Sequence, residues 1–188
     1  MKVLVTGASG FIGRHVLLRA PRSWQIVAVC HRRTDLDAFV LEQQLANVRV
    51  VRCDLADAAA VSRLAEGDGV FDACLYLAAN GDPAKSADRP AWDLQLNTLA
   101  LVTCLEKIRV GHLVYVSSGA VYDGLTGAVT PAAAVAPPAH HPGHRGGAGR
   151  CDHRHLRRKQ VHRAAGGEPG VPEHAARLRV LAAHALHR

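Results

Sequence analysis

A chain of 188 residues with 48% hydrophobic residues can bury one sizeable core, and with no apolar run of the ~18 residues that a helix needs to cross a bilayer it offers no membrane span. Its formal charge of +7 is unevenly placed: residues 1–133 hold 13 basic and 13 acidic residues, whereas residues 134–188 hold ten against three, with nine of the twelve His. All eight aromatic residues lie at or before Tyr122 and the last Ile is Ile108, so the side chains that build a core belong to the first part, and the basic part has no aromatic platform or finger spacing for nucleic acid.

In chain order, Met1-Lys-Val-Leu-Val-Thr enters a glycine turn too early for a signal peptide and reads as a first strand, Lys2–Thr6. A helix from Gly13 to about Ala20 follows, then a strand Gln25–Cys30, a helix around Leu36–Ala46 and a strand Val48–Arg52. A short helix Asp57–Ala65 leads to a strand Phe71–Leu77. Pro90–Ile108 reads as one long helix with Leu94, Thr98, Leu101 and Leu105 three or four apart, and His112–Ser117 as a fifth strand. Runs such as Val3-Leu-Val and Leu113-Val-Tyr-Val are apolar on both faces, the pattern of parallel strands covered by helices. The predicted class is therefore α/β, a Rossmann-type doubly wound parallel sheet with right-handed crossovers, left incomplete and followed by an irregular basic tail.

The rhythm stops after Tyr122. Pro131, Pro137, Pro138 and Pro142 interrupt any helix, and Gly143, Gly146, Gly147 and Gly149 follow. A basic helix over His153–Arg163 and an amphipathic one over residues 173–187 are the remaining candidates, and residues 134–170 are expected to be poorly ordered because Ala, Gly, Arg and His recover little of the cost of ordering. The chain thus divides into a Rossmann part, residues 1–133, and a tail, residues 134–188.

Cys30, Cys53, Cys74 and Cys104 fall in or beside apolar segments without motif spacing, which suits buried free thiols in a reducing compartment, and the cytoplasm is the expected location. His140, His141, His144 and the Cys151-Asp-His153-Arg-His155 stretch supply metal-ligand types, but their glycine-rich surroundings fix no tetrahedral geometry, so no metal site is expected.

Gly7-x-x-Gly10-x-x-Gly13 lies between the first strand and the first helix. Gly7 permits the tight turn, Gly10 lets a pyrophosphate approach the backbone, and Gly13 lets the helix pack closely, so that exposed N–H groups and the positive helix end face phosphate. At the end of the second strand a carboxylate would select NAD through the ribose hydroxyls; this chain has Val29-Cys-His-Arg-Arg33 there, with no acid before Asp35. Arg32 or Arg33 can pair with a 2′-phosphate, which tilts the choice to NADP over NAD, while a solvated basic loop is the plain alternative.

Thr6-Gly-Ala-Ser-Gly-Phe-Ile-Gly13, Cys53-Asp-Leu-Ala-Asp57, Leu77-Ala-Ala79, Asn97 and Tyr115-Val-Ser-Ser-Gly-Ala-Val-Tyr122 together resemble the extended short-chain dehydrogenase/reductases, the family of NAD-dependent sugar epimerases and dehydratases. The resemblance covers residues 1–131. It implies NAD(P) contacts from Gly7, Ser9, Gly10, Phe11, Ile12 and Gly13 in the turn, from Asp54 (to the adenine amino group) and Leu55, and from Leu77, Ala78 and Ala79 beside the ribose, to which the reading above adds Arg32 and Arg33. It also implies that Asn97 positions the central helix, that Ser118 is the catalytic serine, and that a nucleotide-activated sugar is the substrate.

The family's Tyr-x-x-x-Lys pair should follow Ser118 by about 25 residues, and that window, Pro138-Ala-His-His-Pro-Gly-His-Arg-Gly-Gly147, holds neither Tyr nor Lys. Either the sequence leaves its reading frame between Ala120 and Ala139, or the chain is a degenerate member with a genuine basic tail. Two functions remain in view: an epimerase, dehydratase or reductase with little turnover as written, or a non-catalytic dinucleotide-binding or redox-sensing protein. Because family members dimerise through the missing tyrosine helix and its neighbour, a dimer is left open.

Overall fold

The computed structural model describes residues 1–118, the isolated positions Tyr122 and Thr130, and the backbone of residues 177–183. Strands Lys2–Thr6 (β1), Gln25–Cys30 (β2), Val48–Arg52 (β3), Val70–Tyr76 (β4) and Arg109–Ser118 (β5) alternate with helices Phe11–Arg19 (α1), Asp35–Glu42 (α2) and Ala58–Asp68 (α3). Between β4 and β5 run Pro83–Asp88 (α4), Pro90–Leu94 (α5), a π-helical turn Gln95–Leu99, and Ala100–Lys107 (α6). Arg177–Ala183 forms a sixth strand, β6.

All neighbouring strands pair in parallel, in the order β3-β2-β1-β4-β5-β6. The chain starts in the middle at β1, builds outward to β3, then returns to β4 on the other side of β1. That reversal opens a crevice beyond the carboxyl ends of β1 and β4. Alternating side chains bury both faces of the central strand: Leu4 joins Phe71, Cys74, Val61 and Cys104 on one side, while Val3 and Val5 join Leu17, Ile26 and Leu36 on the other. Fully burying each such side chain contributes about 1.5–3 kcal/mol relative to exposure. Cys30, Cys53, Cys74 and Cys104 are buried and unpaired as disulfides, as their apolar settings suggest.

Besides the short α4, which the sequence reading does not contain, two elements differ from it. The long helix forms over the expected span, but the Ala100 N–H donates to the Gln95 carbonyl, one residue further back than in an α-helix. The inserted residue turns the apolar stripe, so Ala100, Cys104 and Ile108 reach the core, whereas Leu94 and Leu105 stand 53% and 42% exposed. The second difference is β6. Residues 177–183 were expected within a helix; Arg177-Leu-Arg-Val180 also alternates polar with apolar, and the open edge of β5 offers N–H and C=O groups that such a strand satisfies, from His112↔Arg177 to Ser118↔Ala183. The tail is therefore not irregular throughout. The expected basic helix over His153–Arg163, the poor order of residues 134–170 and the His/Cys clusters lie outside the described residues. Among the described residues no helix is long and apolar enough to cross a membrane.

Candidate functional site

A cavity of about 540 Å³ occupies the crevice at the carboxyl ends of β1 to β4. Its wall brings together ten of the residues singled out in the sequence: Gly7, Ser9, Gly10, Arg32, Arg33, Asp54, Leu55, Leu77, Ala78 and Ala79. Residues far apart in the chain meet here because parallel strands with crossover helices deliver all their carboxyl ends to one edge.

The glycine turn is set by close approach. Gly7 has φ 63°, and a Cβ on it would lie 2.8 Å from the Ala78 nitrogen and from the Leu77 carbonyl carbon. A Cβ on Gly13 would meet the backbone of Ala8 and Gly7 at 2.6 Å, so this glycine seats α1 on the turn itself. Gly10 caps α1 without a side chain, its N–H donating to the Gly7 carbonyl at 3.0 Å and its carbonyl accepting from the Arg14 N–H at 3.0 Å. The first amides of α1, including those of Phe11 and Ile12, have no helical acceptor and are available to an anion. The side chains of Phe11 and Ile12 are 79% and 45% exposed and do not line the cavity, so any contact from these positions is through the backbone.

Thr6 locks the two sides of the crevice and was missed as a site residue, although its place as the last residue of β1 is a usable signal. Fully buried, its Oγ1 accepts from the Leu77 N–H at 3.1 Å and the Ala78 N–H at 3.2 Å. Thr6→Val keeps the shape but leaves both amides without that acceptor, and should lower stability by about 1–3 kcal/mol in urea denaturation. An unchanged midpoint would show that other acceptors replace it.

Asn97 does not line the cavity; it holds the segment that does. Its Oδ1 accepts from the Asn80 N–H at 2.7 Å, and its Nδ2 donates to Asp93 Oδ1 at 2.8 Å. The same carboxylate oxygen accepts from Asn80 Nδ2 at 2.9 Å and Ser86 Oγ at 2.7 Å. The π-turn thus fastens the end of β4 through Asn80 and Asp93, neither of which any sequence motif marked. The Asn80 hydrogen bond, more than opposing burial, and then those from Ser86 and Asn97 hold the Asp93 carboxyl below its usual range. A depressed folded value means that this group stabilises above about pH 4, the unfolded value, and that the contribution fades as pH falls through the folded one. Asp93→Ala should therefore cost about 1–3 kcal/mol at neutral pH, with the gap to wild type closing in strong acid. A pH-independent gap would assign the loss to packing instead.

The far wall is polar. Asp54 Oδ1 accepts from the Ala56 N–H at 3.0 Å, closing the turn after β3, while Oδ2 lies 3.3 Å from His31 Nε2. The Arg33 guanidinium donates to the Ser9 carbonyl at 3.3 Å, bridging the strand-two loop to the glycine turn. Arg32 lines the cavity with no hydrogen bond or ion pair to the described residues. The two acids that follow β2 are engaged elsewhere: Asp35 with Arg14 at 2.5 Å and Asp37 with Arg52. Burial pushes the Cys30 thiol up and the Cys53 thiol to about 11, so both stay protonated against the cavity. Trp92 of α5 and Gln95 and Leu96 of the π-turn also line the wall, and no sequence motif marked them. Ser118 closes β5, exposed and outside the cavity wall.

Residues 3–142 match the NAD dependent epimerase/dehydratase family. The chain belongs to that family. The dTDP-glucose 4,6-dehydratase of Mycobacterium tuberculosis (strain ATCC 25618 / H37Rv) is 35% identical over 135 residues, which are 66% of this chain and 38% of that protein. UDP-arabinose 4-epimerase 1 of Arabidopsis thaliana is 31% identical over 129 residues, 64% of this chain and 30% of that one. Among solved structures, the UDP-glucuronic acid 4-epimerase of Bacillus cereus, in complex with UDP-glucuronic acid and NAD, aligns with 25% identity and a TM-score of 0.58 over 73% of this chain and 46% of its own. The UDP-Glc/GlcNAc 4-epimerase of Campylobacter jejuni shares the fold, with 24% identity and a TM-score of 0.62 over 73% of this chain and 43% of its own. The chain spans about a third of the length of the curated relatives it matches.

Proposed function

We propose that residues 1–133 are the dinucleotide-binding part of an NAD(P)-dependent epimerase, dehydratase or reductase of nucleotide-activated sugars, and that the chain itself has little turnover. The observation that carries this is the cavity at the strand reversal, whose floor is a glycine turn with no room for a Cβ at Gly7 and whose sides are the ends of β2, β3 and β4. The residues fit the cofactor. The turn presents α1 amides to the pyrophosphate, Ser9 and Gly10 leave its backbone open, and Arg32 and Arg33 face the adenosine ribose, where they favour NADP. Asp54 and Leu55 flank the adenine, Leu77, Ala78 and Ala79 bound the other ribose, and Asn97 holds that loop through Asn80. When bound, the nicotinamide supplies a hydride acceptor and donor.

By its resemblance to the family's serine, Ser118 would hold a substrate oxygen, but no Tyr or Lys follows in the expected window to move the hydroxyl proton. Relatives carrying UDP- and dTDP-sugars in their names support the substrate class. Free buried thiols support a reducing, cytoplasmic setting. Calorimetric titration of the full chain should give saturable binding of NADP or NAD, and assays on UDP- and dTDP-sugars should give rates far below the ~1–10³ per second of ordinary enzymes. Failure of both dinucleotides to bind would overturn the site, and ordinary turnover would overturn the inactivity.

The missing pair favours a second reading, a non-catalytic dinucleotide-binding or redox-sensing protein. Resequencing the gene around codons 120–140 separates the two: a Tyr-x-x-x-Lys in another frame restores the enzyme, and its absence leaves the binding protein.

A further inference from the structure

At one end of the sheet, β3 pairs with β2 and has no strand on its other side among the described residues. The Ile26 N–H donates to the Asn47 carbonyl and the Cys53 N–H to the Cys30 carbonyl, both at 2.9 Å. Asn47 and Cys53 thus turn their backbone groups toward β2, and in a parallel ladder every second residue does the same. Val50 and Arg52 are out of step with them, so their N–H and C=O groups face away from the sheet, a template for a further strand. A second cavity, of about 480 Å³, lies between this strand and α3, with Arg49, Val51 and Arg52 on one side and Arg63, Leu64 and Gly67 on the other.

The groove is cationic. Arg49 pairs with Asp68 of α3 yet remains 58% exposed, and Arg52 turns to the opposite face of the sheet, to Asp37 of α2. Arg63 stands exposed on α3 with no hydrogen bond or ion pair to the described residues. Among the described residues Asp68 is the one acid in the lining, and it is already shared with Lys2 at 3.4 Å. Nothing in the dinucleotide reading uses these groups.

We propose that the open edge of β3 and the groove beside it dock an acidic, extended segment of a partner protein, which adds to the sheet as a further strand. A small anion would meet the guanidiniums but also the outward carbonyls of Val50 and Arg52, which repel it. An extended chain satisfies both kinds of group, its N–H donating to those carbonyls and its own carbonyls accepting from those amides. Its carboxylates then reach Arg63 and the exposed side of Arg49, where opposite charge fixes the register. Two other occupants match poorly. The β3 strand of a second copy would set arginines against arginines, and residues 134–188, with ten basic and three acidic residues, carry the same sign as the groove.

The probe is a capped, fluorescent peptide, Glu-Val-Glu-Val-Glu-Val, titrated into the full chain at physiological salt. One companion carries Lys in place of Glu, and another is the acidic peptide with every peptide nitrogen methylated. The acidic peptide should bind saturably, and each companion at least about tenfold more weakly, the first for its charge and the second for its lost backbone donors. Arg63→Glu, at an exposed position of α3, should weaken the acidic peptide by about fivefold or more with the urea midpoint unchanged. Amide exchange at Val50 and Arg52 should slow when the acidic peptide binds. Equal affinity for the methylated peptide would reduce the contact to charge alone, as for a small polyanion, and overturn strand addition. No binding at millimolar acidic peptide, or protection of amides elsewhere, would overturn the site itself.

Discussion

Gly7→Ala is expected to remove measurable dinucleotide binding and to destabilise the fold by roughly 2–5 kcal/mol. Two independent costs combine. The backbone of Gly7 sits at φ 63°, a left-handed conformation that costs an alanine about 1–2 kcal/mol. The new methyl would also stand 2.8 Å from the Ala78 nitrogen and 2.9 Å from the Leu77 carbonyl oxygen, both backbone atoms that cannot rotate away. Relief requires β1 and β4 to part at their carboxyl ends, which strains the Thr6 hydrogen bonds and opens the crevice between the glycine turn and Leu77–Ala79. Gly10→Ala is the control. Gly10 has an ordinary φ of −74°, and its Cβ would come no closer than 3.3 Å, to the Gly7 carbonyl oxygen, so stability should change by less than about 1 kcal/mol. Loss of binding in Gly10→Ala with stability intact would place the phosphates against this backbone. Wild-type affinity in Gly7→Ala would show that the turn does not shape the site.

The fold was legible where a local pattern and the tertiary setting ask for the same thing. Val3-Leu-Val is apolar on both faces because β1 is covered on both, and the glycine spacing marks a strand-to-helix turn wherever the helix must sit close. Legibility ended where a tertiary demand decided. The π-turn has no composition of its own; Gln95–Leu99 becomes one because Asn97 and Asp93 are both drawn to Asn80. The short α4, capped by Asp82 at the Lys85 N–H, escaped notice because its six residues carry no apolar stripe. Residues 177–183 carry both periods, and pairing with β5 chose the strand. The site divides the same way: residues at strand ends, such as Asp54 and Ala78, can be placed once the strands are known, whereas Thr6, Asn80 and Asp93 act by fastening other segments and leave no motif.

Phe71→Ala is expected to cost about 3–5 kcal/mol, much of the 5–15 kcal/mol that holds a typical domain together. The ring is fully buried in β4, opposite Val110 of β5, in the cluster that includes Val61, Leu64, Cys104 and Ile108. Its loss leaves a cavity between the sheet and α3 and α6, and removes the face over which the Lys2 ammonium sits at 5.0 Å. Phe71 lies six residues before Leu77, at the opposite end of β4 from the dinucleotide cavity. The damage should therefore act on the population of folded molecules and leave the geometry of the site unchanged. Apparent affinity should fall only by the folded fraction, and saturating cofactor should restore stability, by about 2.7 kcal/mol at a hundredfold excess over Kd. Urea denaturation with and without dinucleotide measures both. A loss below about 1 kcal/mol would mean that Phe71 is not part of the cooperative core, and an affinity loss beyond the folded fraction would show that the core of β4 shapes the cavity directly.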